Sequence, residues 1–89
     1  MPLQRGEVRD YDFDRMTVNF TMLHGDKVVV CAISTAAMDG IERRRDVTRD
    51  QRLDQFVRLR DVIEARASHK FDEQSQADKP VVLRTNDFG

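Results

Sequence analysis

The sequence predicts a two-layer α+β domain in the order ββααβ: a β-hairpin, two helices on one face of an antiparallel sheet, and a C-terminal strand. Three observations predict it. Gly25-Asp26 separates two runs rich in Val, Thr, Met and Phe, which is a two-residue hairpin signal. Thr48–Gln51 reads as a capping box ahead of a long amphipathic stretch. "PVVLRT", starting at Pro80, is a β-branched segment close to the end of the chain.

If Gly25 and Asp26 form the loop, Met22 faces Val29, Phe20 faces Cys31 and Val18 faces Ile33, so every pair on one side is apolar. The opposite side pairs Leu23 with Val28, Thr21 with Val30 and Asn19 with Ala32, a more mixed surface. This register bears on the only cysteine. Cys31 points into the core opposite Phe20, whereas His24 lies four residues along that strand. At about 3.3 Å per residue the two stand on the order of 13 Å apart, too far to share a metal or a proton. Cys31 is therefore expected to pack as a small hydrophobe, and His24 to flank the turn at the surface.

Ser34 caps a short helix through "TAAMDGIERR", with Ala37, Met38 and Ile41 facing inward and Gly40 weakening it. The capping box opens a second helix from Arg49 to about Phe71, with Leu53, Phe56, Val57, Ile63, Ala67 and Phe71 on one face. Asp54 and Arg58 are spaced as a favourable pair on the outer face, beside Asp50, Asp61 and His69. Arg60 falls within the apolar stripe, next to Glu64. One reading lays its methylenes over the sheet and pairs it with Glu64 or an N-terminal aspartate. The other makes it an anion-binding residue in a groove between helix and sheet. The first is preferred, because a lone arginine without a glycine-rich loop is a weak anion-site signal. Leu59 and Val62 sit on the helix flank, where they either cover the short helix or meet a partner. "DEQSQADK" after Phe71 is a polar connection, Pro80 starts the last strand, and Phe88 turns back onto the core. Tyr11 and Phe13, just ahead of the first predicted strand, form a lid over one end of the core.

With 89 residues, the chain makes one domain over 1–89 with a thin core. Fifteen basic residues against sixteen acidic ones leave a net charge of −1, without the basic excess usual in nucleic-acid binders. A single cysteine fits a reducing compartment, and no apolar run resembles a leader or a membrane span, so a soluble cytoplasmic protein without membrane association is expected. No Walker loop, dinucleotide-binding glycine pattern, paired-cysteine zinc spacing or HExxH occurs. Neither a catalytic, metal nor cofactor site is expected, and the alternating Asp10, Asp12 and Asp14 read as a solvated strand edge.

The chain resembles a family of short bacterial proteins grouped as domain of unknown function 1488. The resemblance rests on Tyr11-Asp12, on "VNFTMLHGDKVVVCAIS" through the hairpin, on Phe56, Arg60, Ile63, Glu64 and Ala67, and on "VVLRTNDF". It implies the two-layer fold and brings no activity, cofactor or catalytic residue. The functional expectation is a non-enzymatic protein-interaction or regulatory module acting through a sheet edge or exposed sheet face, on a protein partner or as a homodimer. Candidate contact residues are Arg60, Glu64, Arg43, Arg44, Arg45, Leu59 and Val62. The alternative is nucleic-acid binding through the Arg43–Arg52 cluster, which adds Arg49 and Arg52. An enzyme using Arg60 and Glu64 ranks last.

Overall fold

The computed structural model describes residues 3–74 and 79–88. Strands β1 (Gln4–Asp12), β2 (Thr17–His24) and β3 (Lys27–Ser34) precede helix α1 (Thr35–Glu42) and the long helix α2 (Arg52–Glu73), and β4 (Val81–Leu83) follows. The four strands form one sheet in the order β1-β2-β3-β4. Both helices pack on one face, so the α+β two-layer class predicted from sequence holds.

The hairpin has the predicted register, with His24 paired to Lys27 across a two-residue loop and Phe20 paired to Cys31. Gly25 takes a φ of 64°, the left-handed conformation this turn requires. Val18, Phe20, Met22, Val29, Cys31 and Ile33 all point into the core, as their alternation demands.

Two features of the sheet differ from expectation. First, a further strand, β1, precedes the hairpin and pairs antiparallel with β2. Tyr11 belongs to this strand and packs against the core, while Phe13 lies outside it and is exposed. Second, the sheet is mixed: β4 pairs parallel with β3, Cys31 opposite Val81 and Ile33 opposite Leu83. The helical crossover returns the chain to the start of β3, and a strand entered that way runs parallel to the one it left.

Ser34 caps α1 by accepting the Ala37 N–H at 3.1 Å. The helix ends at Arg43, whose φ of 57° lets its own N–H and that of Arg44 both donate to the Asp39 carbonyl. A 3₁₀ turn (Arg49–Gln51) leads into α2, and the Gln51 amide oxygen accepts the Thr48 N–H at 3.2 Å. Helix α2 buries Phe56, Ile63, Ala67 and Phe71. Leu53 and Val57, predicted on that face, are exposed, and Arg52 and Gln55 are buried instead. The first turns of α2 meet α1 rather than the sheet, and α1 presents carboxylates there. Arg58 is likewise drawn away from Asp54 to Glu42 on α1, at 3.0 Å. The connection after Phe71 is helical through Glu73, and its residues 75–78 lie outside the described residues. Phe88 packs partly buried against the core, as predicted.

Candidate functional site

Arg60 and Glu64 form part of a clasp that ties β1 to α2. Arg60 donates from Nε to Glu64 at 2.9 Å and from Nη2 to the Gly6 carbonyl at 3.1 Å. Glu64 also accepts from Arg5 Nε at 2.8 Å, and Arg5 reaches Asp61 at 2.9 Å. The Arg60 guanidinium sits 6.0 Å from the centre of the Phe56 ring. Two of its three nitrogens, Nε and Nη2, are thus occupied by the chain itself. Gly6 is required here, because a Cβ at that position would lie 2.4 Å from the Thr21 carbonyl oxygen. The Thr21 hydroxyl meanwhile accepts the Glu7 N–H at 2.9 Å and fills the gap the bulge leaves in the ladder.

The arginine-rich segment after α1 divides into spent and unspent charges. Arg52 is buried, holding Asp39 at 2.6 Å and Gln55 at 2.8 Å, and Gln55 donates to Asp39 and Glu42 at 3.1 Å each. This network joins α1 to α2. The Arg58 guanidinium and, behind it, the Gln55 amide hold the Glu42 carboxyl below its usual range against the opposing pull of burial. Arg44 pairs with Asp46 at 3.1 Å and holds that carboxyl low. Arg49 lies 5.2 Å over the Phe13 ring. Arg43 and Arg45 make no ion pair among the described residues.

Four of the seven candidates come together. Arg43, Arg44, Arg45 and Val62 line a continuous groove along the helix layer, made of concavities that share Gly40, Arg43 and Thr85 at one junction and Val62 and Phe88 at the next. Leu59 instead packs partly buried against the core, and Arg60 and Glu64 face β1 on the other flank of α2.

Among the described residues no helix covers the other face of the sheet, where only Thr21, packed under Gly6 of β1, is buried. Val28 and Val30 are each 58% exposed there, and by strand alternation Leu23, Ala32 and Val82 share the face, half-buried. Arg15 and Arg84 border a concavity at one end of it, with Thr17, Asn19 and Ser34.

The family model described as "Protein of unknown function (DUF1488)" matches residues 5–83, which takes in the hairpin, both helices and β4. The chain belongs to this family. A crystal structure at 1.60 Å of a DUF1488 protein of unknown function from Shewanella loihica PV-4 superposes with a TM-score of 0.74 at 20% identity, covering 91% of this chain and 90% of that one. At that identity the likeness is one of fold. Comparison with curated proteins returns no match.

In this DUF1488 domain the cysteine and the histidines lie apart. Cys31 is buried, its thiol 3.6 Å from the Val29 carbonyl, and burial pushes its pKa up to about 12. His24 is exposed beside Phe71, with ring centres 5.1 Å apart, and His69 pairs with Glu73 at 2.7 Å. Among the described residues no three His, Cys, Asp or Glu side chains are grouped to hold a metal, and no helix is long and apolar enough to cross a membrane. Apolar periodicity alone missed Asp39, Arg52 and Gln55. The available signal was the i,i+3 spacing of Arg52 and Gln55 on the face that reads as core.

Proposed function

We propose that this chain is a non-enzymatic protein-interaction module whose contact surface is the uncovered face of the sheet, and that the partner is a second copy of itself. The observation that carries this reading is the exposure of Val28 and Val30, 58% each, on the hairpin end of β3 beside Leu23 and beyond the stretch that β4 pairs, where no helix covers them among the described residues. Large β-branched side chains in that position are stabilised when another apolar surface removes them from water. The face is also self-complementary. Its row nearest the β1–β2 turn begins with Asp12 on β1, crosses Thr17 and Ser34, and ends at Arg84 beyond β4. A two-fold axis parallel to the strands lays β1 of one copy over β4 of the other, bringing Asp12 opposite Arg84 in both directions. Three strands about eight residues long and about 4.8 Å apart, with the three-residue β4 beside them, give a face of about 430 Å². Two such faces reach about 860 Å², the size of a weak, concentration-dependent association.

Light scattering over a concentration series tests this. The expected result is a concentration-dependent dimer that Val30→Glu abolishes while leaving the monomer folded. A strict monomer at every concentration overturns it.

Nucleic-acid binding has less support. Of the five arginines it invokes, Arg52 is committed to Asp39 and Arg44 to Asp46, and Arg49 lies over the Phe13 ring, which leaves Arg43 and Arg45 to track phosphates. Fluorescence anisotropy with a labelled oligonucleotide at low salt checks this, and binding that falls steeply with added salt would revive it.

A further inference from the structure

The groove on the helix layer differs in character from the sheet face. Ile41, Val62 and Phe88 supply apolar walls, and Gly40 leaves open space, since a Cβ there would meet nothing within 4 Å. The carboxylates that border it are already used. Asp39 holds Arg52 and Gln55. Asp87 holds Lys70 at 3.0 Å and the Arg84 N–H at 2.8 Å. The charge left over is positive. Arg43 and Arg45 stand at one end without an acidic partner among the described residues, and Arg44 there is shared with Asp46 alone. Arg66 borders the other end, but its Nη1 meets the Glu73 carboxylate at 4.0 Å, and only its buried Nε lacks an acceptor among the described residues. An apolar trough with unpaired guanidinium groups at its Arg43–Arg45 end is complementary to a ligand with an apolar centre and an acidic flank.

We infer that this groove binds an acidic polypeptide segment of a partner protein, seating a bulky apolar side chain against Ile41, Val62 and Phe88 and placing carboxylates on Arg43 and Arg45. A peptide fits better than a nucleic acid, because unpaired charge stands only at the Arg43–Arg45 end and the apolar middle has nothing for a phosphate backbone.

The test uses the full chain and a fluorescein-labelled synthetic peptide with a Leu-Phe pair flanked by glutamates. A lysine-flanked version and a single-stranded oligonucleotide serve as controls. The expected result is saturable binding of the acidic peptide alone, with amide shifts centred on Gly40, Arg43, Thr85 and Phe88. Combining Arg43→Gly with Arg45→Glu should weaken it about tenfold or more. Arg43→Gly removes a charge at a left-handed position that glycine tolerates better, so a folding defect is not expected, and Val62→Glu supplies a second disruption from the apolar side. The inference is overturned if the acidic peptide does not saturate, if the shifts fall on the Val28–Val30 face, if the variants bind unchanged, or if the oligonucleotide occupies the groove more tightly than the peptide.

Discussion

Three positions show how much depends on single residues. Gly6 has no room for a side chain: a Cβ would lie 2.4 Å from the Thr21 carbonyl oxygen and 2.6 Å from its hydroxyl, and the carbonyl belongs to a central strand that cannot give way. Gly6→Ala should therefore cost about 1–3 kcal/mol, the range for forced overpacking, read as a lower urea midpoint. Arg43 is the opposite case. It occupies a left-handed C-terminal position with φ 57°, where a Cβ is penalised and glycine is not. Arg43→Gly should raise stability by about 0.5–1 kcal/mol, and a loss instead would mean that the guanidinium makes a stabilising contact. Cys31 was readable from the sequence because period-two alternation fixed its direction once the loop was placed. With its thiol buried and its pKa raised to about 12, it should react with iodoacetamide in native protein only as fast as the chain opens. Rapid labelling at neutral pH without unfolding would show that the hairpin register is wrong.

At the scale of elements, legibility followed the source of each element's stability. The hairpin and the two helices carry their instructions locally, in a turn pair, a serine cap, a capping box and apolar spacing, so the sequence was enough to place them. Strand β1 carries no such signal. "QRGEVRDYD" holds five charged residues, and bulges on both sides of Val8 break the alternation that marks a strand. What fixes it is the clasp of Arg5, Glu64 and Arg60, whose partners are more than fifty residues apart in sequence. The groove was half legible: Arg43, Arg44, Arg45 and Val62 could be singled out, but not Phe88 and Ile41 beside them, because only the packing of the C-terminal turn against α1 brings these together. The polar start of α2 was hidden for a similar reason. Leu53 and Val57 satisfy the helical period, but α1 approaches from the other flank, so Arg52 and Gln55 are the residues enclosed. Arg52 is 8% exposed, and its charge is compensated chiefly by Asp39. Asp39→Ala should therefore cost about 3–5 kcal/mol, the penalty for leaving a buried charge without its partner. Arg52→Met should cost clearly less, since it refills the cavity and the Asp39 carboxylate it leaves behind is 24% exposed and keeps the Gln55 amide. Equal losses in the two variants would show that packing, not the charge, holds α1 on α2.

For the molecule as a whole, α2 acts as the hub to which the other segments are tied by charge as well as by packing. The Arg5 and Arg60 clasp holds β1, and the network of Asp39 and Glu42 with Arg52, Gln55 and Arg58 holds α1. Lys70 holds the C-terminal end by donating to the Val82 carbonyl at 2.6 Å and to Asp87 at 3.0 Å. Two of these ties have carboxyls whose titration is displaced. Glu42 is held low by Arg58 and Gln55 against burial. At Asp87 burial is the largest influence and works upward, but the Arg84 N–H and the Lys70 ammonium outweigh it, and the carboxyl stays below its usual range. A carboxyl whose folded pKa lies below its unfolded one stabilises the fold fully above the unfolded value, and that contribution is lost as pH falls through the folded value. Stability from these ties should thus be flat from neutral pH down to about pH 5, then fall through and below the ordinary carboxylate range near pH 4. Urea denaturation across that range measures it. Glu42→Gln cannot titrate at this position, so it should be less stable than the parent at neutral pH and lose stability less steeply in acid. Parallel acid limbs for the two proteins would mean that the pH-sensitive tie is not the one between α1 and α2.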